Sequence, residues 1–237
     1  MMRALGFILC AALIAIGCDR WPGQPDEKDR YRRPSEILDF VSLYGTNCSG
    51  CHGAAGSHGP ARSLADPIYL SLLDDGRLTS IIASGVSGTS MPAFARSHGG
   101  TLENAQVAAI VAGMLAEWGG DAAEIAGAPL PPYSEADSLA AGFSPGDARR
   151  GGAAFGRYCA DCHGEDGAGS RKPDREGGSV VDPDFLALVS DQMLRTTVIA
   201  GRTDLGMPDW RQGSQKHPML PQEISDVVAW LVDRRGL

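Results

Sequence analysis

"NCSGCHG" at residues 47–53 and "YCADCHG" at residues 158–164 carry the same Cys-x-x-Cys-His-Gly arrangement. The chain has only six cysteines in 237 residues, and four of them, Cys48, Cys51, Cys159 and Cys162, stand in these two stretches. Residues three apart on a helical turn share a face, so both sulfurs of each pair point the same way, with a histidine beside them. A four-cysteine zinc site places its pairs about 15–20 residues apart, whereas these are separated by over a hundred. A thioredoxin-like redox motif needs a βαβ pattern nearby, and none is visible. Disulfides within each pair would leave the repeated histidine without a purpose.

Cys-x-x-Cys-His is the attachment signature of c-type haem. Two thioether bonds tether one porphyrin edge, and the adjacent imidazole faces the iron. Cys48, Cys51 and His52 are expected to hold one haem, and Cys159, Cys162 and His163 a second.

An internal repeat selects the sixth iron ligands. At an offset of 116, "DPIYLSLLDDGRLTSIIASGVSGTSMP" (66–92) lies without gaps on "DPDFLALVSDQMLRTTVIAGRTDLGMP" (182–208). Asp66-Pro67 matches Asp182-Pro183, Leu70 matches Leu186, Leu78 matches Leu194, Gly85 matches Gly201, and Met91-Pro92 matches Met207-Pro208. A methionine is usually packing material, but Met91 and Met207 repeat in place and are the expected axial ligands. Met193 falls opposite Arg77, Met219 has no partner, and Met114 reads as core. His58, His98 and His217 are not duplicated and read as exposed loop residues.

Helical periodicity brackets each motif. Ile37, Phe40, Val41 and Tyr44 predict a helix within residues 34–48, and 144–159 predict its counterpart. Val107, Ile110, Val111 and Met114 form an i, i+3, i+4, i+7 stripe that matches Ile224, Val227, Val228 and Leu231. The expected fold is all-α: two tandem helical domains, each built around one covalently attached haem.

Each half resembles a class I cytochrome c domain, over residues 35–119 and 145–237. The resemblance implies that the first and last helices cross near a glycine and an aromatic, eight and four residues before the first cysteine. Gly151 and Phe155 fill those places in the second half; in the first, Tyr44 is the aromatic and Phe40 stands at the glycine position. It also implies a proline carbonyl accepting from the haem-ligand imidazole, with Pro60 in that role after His52 and Pro173 a looser match after His163. Phe94 and Trp210, each three residues after the methionine, read equally as haem-pocket walls or as core aromatics.

The remaining segments are organisational. "MMR" followed by an apolar run reads as an export signal over residues 1–17, too short for a span of roughly 20 residues. "AIGC" (15–18) resembles the lipoprotein cleavage box, which implies lipid attachment at Cys18. Residues 18–34 read as a charged, proline-bearing tether, and 120–144 as a semi-rigid linker containing "PLPP". A net charge of −8 disfavours nucleic acid, which demands clustered Lys and Arg.

Methionine–histidine ligation fills both axial positions, so the expectation is an electron carrier rather than an enzyme. Expected partners are redox proteins such as a quinol-oxidising complex, a terminal oxidase or a dehydrogenase, met at a membrane in the bacterial cell envelope, on its periplasmic side. The alternatives are a dihaem peroxidase-like enzyme and the electron-accepting subunit of a periplasmic dehydrogenase.

Overall fold

Asp39 sets the start of the first helix: its side chain accepts from the Ser42 N–H at 2.8 Å, an N-cap that satisfies one orphan donor. Helix α1 therefore runs Phe40–Asn47, later than the periodicity predicts, and Pro34 opens a separate 3-10 turn, Pro34–Glu36. The buried face of α1 is Leu43 and Tyr44; Val41, predicted on that face, is 75% exposed.

The computed structural model describes residues 23, 26, 29–120, 127, 129–172, 175–212 and 217–236. The expected signal, Cys18, most of the expected tether and Pro173 lie outside them. Met1–Ile37 and Leu38–Leu237 are separate units, and the haem-motif architecture belongs to the second.

After α1 the first half continues through α2 (Ser49–His52), α3 (Pro67–Ser71), α4 (Asp75–Ser84) and α5 (Asn104–Trp118). A short helix α6 (Glu135–Ala140) follows. The second half repeats the order with α7 (Ala148–Tyr158), α8 (Ala160–His163), α9 (Pro183–Leu188), α10 (Asp191–Ala200) and α11 (Pro221–Asp233). One addition breaks the all-helical pattern: the longer loop after α8 forms an antiparallel hairpin, β1 (Ser170–Lys172) with β2 (Arg175–Gly177).

The repeated residues have local causes. Asp66 caps α3 by accepting from Ile68 and Tyr69 N–H, and Asp182 caps α9 by accepting from Phe185 N–H. Pro67 and Pro183 follow at the first helical position, where the missing N–H costs nothing. Leu70 and Leu186, and Leu78 and Leu194, are buried core pairs. On the closing helices Val107, Ile110, Val111 and Met114 are buried, as are Ile224, Val227 and Leu231, while Val228 is half-buried.

The first and last helices of each half cross by different means. In the second half Gly151 on α7 has no room for a Cβ, which would meet the Asp226 carbonyl and come within 2.7 Å of Trp230 Cβ. Trp230 stacks on Phe155 with centroids 4.2 Å apart and planes at 23°. In the first half the small and large residues have changed helices. Phe40 occupies the α1 side, and Gly113 on α5 leaves space for its ring, since a Cβ on Gly113 would overlap it. Phe40 and Tyr44 then meet Trp118 edge-on at 5.5 and 5.0 Å, and each other at a tilt, 5.6 Å apart.

The segment between the halves is docked from residue 129 onward rather than spanning freely. Arg195 on α10, 2% exposed, donates to the Pro132 carbonyl, Glu135 and Ser225. Arg77 on α4 donates to Asp137 at 2.7 Å and lies over the Tyr133 ring. One strap thereby grips both halves.

Candidate haem-attachment sites

Each motif forms a single turn. Cys48 caps α2 and its carbonyl accepts from His52 N–H at 3.0 Å; Cys159 caps α8 and accepts from His163 N–H at 2.9 Å. That turn puts both thiols and the imidazole of each motif on one short segment. None of the four cysteines is joined in a disulfide. Burial pushes the Cys48 thiol up to about 11 and the Cys159 thiol to about 12, with the neighbouring motif cysteine adding to both. Both are therefore thiols, not thiolates, near neutral pH, as partly dry packing requires.

The imidazoles are oriented by backbone. His52 Nδ1 lies 2.8 Å from the Arg62 carbonyl, and His163 Nδ1 lies 2.8 Å from the Gly178 carbonyl. A donor bond from Nδ1 fixes the tautomer that leaves Nε2 as the ligand nitrogen, the usual support of a metal-bound histidine. Burial lowers the pKa of His52, with the Arg62 carbonyl opposing, which favours the neutral form that binds metal. The residues present thus fit a haem in both halves.

Pro60 does not hold the acceptor position. Ala61 N–H is anchored on the Cys51 carbonyl at 2.9 Å, and Gly59 passes that same carbonyl with no space for a Cβ. The chain so pinned presents the next carbonyl, that of Arg62, to the ring. In the second half Gly177 makes the equivalent pass by the Cys162 carbonyl, and Gly178 follows as acceptor. The useful sequence signal was a glycine shortly before the acceptor, not a proline.

Met91 and Met207 sit in matching loops, both half-buried. The middle helices end at Gly85 and Gly201, each with φ of +70°, a conformation that favours glycine. A Cβ at Gly85 would lie 2.7 Å from the Met91 carbonyl oxygen, and one at Gly201 would lie 2.6 Å from that of Met207. The next residue then donates to the methionine carbonyl: Val86 N–H to Met91 at 3.1 Å and Arg202 N–H to Met207 at 3.0 Å. Three residues beyond each methionine, Phe94 and Trp210 return N–H bonds to Ile82 and Ile199 on the middle helices. Trp210 is buried and Phe94 half-buried.

Met114 and Met219 are buried, and Met193 is 38% exposed. His58, His98 and His217 are exposed, as expected of loop residues. Among the described residues no cluster of three or more His, Cys, Asp or Glu could hold a metal ion, and no helix is long and apolar enough to cross a membrane.

Two helical modules, each with a Cys-Cys-His turn, an oriented imidazole and a glycine-locked methionine loop, define a tandem protein of the cytochrome c type. The family described as cytochrome C oxidase, cbb3-type, subunit III matches residues 36–112 and 146–231, more than half of the chain. The chain belongs to that family, and is accordingly a haem c electron-transfer cytochrome. No match is found among curated proteins.

Proposed function

We propose that the chain is a dihaem c-type cytochrome that passes electrons between membrane-associated or periplasmic redox partners. The observation that carries this reading is the duplicated imidazole geometry, 2.8 Å from Nδ1 to a carbonyl in both halves. Each bound haem would supply an iron that accepts and returns one electron without a bond being made to substrate.

The chain's own residues hold, orient and shield. Cys48 with Cys51, and Cys159 with Cys162, supply the thioether sulfurs. His52 and His163 offer Nε2, kept in place by the Arg62 and Gly178 carbonyls. Met91 and Met207 offer thioether sulfur from loops that Gly85 and Gly201 close against α4 and α10. Methionine with histidine raises the reduction potential, and a filled pair of axial sites favours electron transfer over catalysis. The family description names a cytochrome c oxidase subunit, which favours a terminal oxidase among the partners. Lipid on Cys18 would keep the protein at a membrane; Cys18→Ala should move it from the membrane fraction to the soluble fraction.

The test is ligation at each iron. The purified protein should carry two haems per chain and show the far-red sulfur–iron charge-transfer band when oxidised. Met91→Ala and Met207→Ala should each remove half of that band and lower one midpoint potential. A parent protein with a single haem, or variants with unchanged spectra, would refute the assignment. Peroxide turnover by the parent would favour a peroxidase instead.

A further inference from the structure

One peptide in the Met207 loop is held from the other half of the chain. The Gly201 carbonyl and the Arg202 N–H belong to the same planar unit and point opposite ways. At one end, Arg202 N–H donates to the Met207 carbonyl at 3.0 Å, and Met207 N–H returns a bond to the Arg202 carbonyl at 3.0 Å. At the other, the Gly201 carbonyl accepts from Arg62 Nη2 at 3.3 Å, and the same nitrogen donates to Thr197 Oγ1 at 3.1 Å, one turn earlier on α10. Arg62 stands in the first half, where its own carbonyl lies 2.8 Å from His52 Nδ1. Its side chain therefore runs from the imidazole support of one site to the peptide that closes the methionine loop of the other. Arg202 reaches back, with Nη2 3.5 Å from the Ala61 carbonyl, and is itself fixed by a fork onto Asp204.

The first half is built differently. Val86 stands where the second half has Arg202, and it offers no side-chain donor. Among the described residues, the side-chain donor to the Gly85 carbonyl is its own neighbour Ser84, at 3.3 Å. Gly178, which supports His163 as Arg62 supports His52, has no side chain to send across. The bonds from Arg62 Nη2 go to neutral oxygens, so they set the orientation of the peptide by direction and distance.

We propose that Arg62 is a positioning residue for Met207: its guanidinium fixes the Gly201–Arg202 peptide, and through it the loop that presents the second-half thioether. This rests on the reading of Met207 as an axial ligand. The sixth ligand of one iron is thereby held partly by a side chain of the half that carries the other.

The experiment titrates imidazole into the haem-loaded protein and follows the far-red sulfur–iron band, because added imidazole competes with methionine for the iron. In a Met91→Ala background the band reports Met207 alone, and in a Met207→Ala background it reports Met91 alone. Arg62→Met fills the volume, keeps the backbone carbonyl for His52 and removes the donor. It should raise imidazole affinity at the second-half iron about fivefold, the worth of one net hydrogen bond, and leave the first-half iron unchanged. Amide hydrogen exchange at Arg202 should quicken by a similar factor, a readout that does not involve the iron. Thr197→Val removes one of the two acceptors and should give a smaller rise at the same iron. Unchanged affinity and exchange in Arg62→Met, or in Thr197→Val should Arg62→Met fail to fold, would overturn the proposal. So would an equal rise at both irons, which a general loosening of the fold predicts. A Met91→Ala protein without the far-red band would instead strike Met207 as a ligand, the reading on which the bridge rests, whatever the exchange rates.

Discussion

Gly113 and Phe40 face each other across the first-half helix crossing, and they are the mirror of Trp230 and Gly151 in the second. Each crossing needs one side chain absent so that another can fill the gap, and the two halves remove it from opposite helices. Gly113→Ala should therefore destabilise the protein by roughly 1–3 kcal/mol through overpacking, read by chemical denaturation. Adding Phe40→Gly should return part of that loss. A double-mutant cycle in which the two losses simply add would mean that the two residues do not share a space.

Gly85 and Gly201 pair a left-handed backbone with close approach to a methionine loop. Alanine at either should cost about 1–3 kcal/mol from the backbone alone, with the overlap against the loop added to it. The far-red sulfur–iron band should weaken for the haem of the affected half. Full stability with an intact band in Gly201→Ala would show that the loop can shift away freely.

Arg77 beside Asp137 holds the carboxyl at about 2, below its ordinary 3.8, by a side-chain hydrogen bond. A depressed acid stabilises the fold above the unfolded-state value and loses that contribution as pH falls toward the folded-state value. Melting temperature should thus decline between about pH 4 and pH 2 more steeply in the parent than in Asp137→Asn. Because the pair is over one third exposed, the difference should shrink in high salt. Parallel acid limbs for the two proteins would contradict this role.

Arg195 is buried against Pro132, Glu135 and Ser225. Its replacement by Ala leaves the Pro132 carbonyl without its donor and Glu135, 43% exposed, with Ser225 Oγ only, at a cost of roughly 1–3 kcal/mol. The strap should then detach first, so limited proteolysis should cut faster between residues 129 and 146. Cleavage at the parent's rate would show that α6 is held by other contacts.

Much of this architecture was legible in the linear order of residues because its causes are local. Cys-x-x-Cys-His needs only one helical turn, and the Asp caps, with or without a following proline, act within three residues. The 116-residue repeat picked out Gly85 and Gly201 before their backbone angles were visible. The helix start at Phe40 was missed because Asp39 competes as a cap with the proline at 34, and periodicity alone does not rank the two.

Other features depend on where distant segments meet. Whether Pro60 or Arg62 presents its carbonyl to His52 turns on how tightly Gly59 and Ala61 are held against Cys51. The replacement of a glycine by Phe40 made sense only once Gly113 was seen opposite it, seventy-three residues away. The strap and the Arg62 seam likewise join residues sixty and over a hundred positions apart. Spacing along a chain encodes bonds made within a turn; bonds across folded surfaces follow from volume and burial, which no single segment carries.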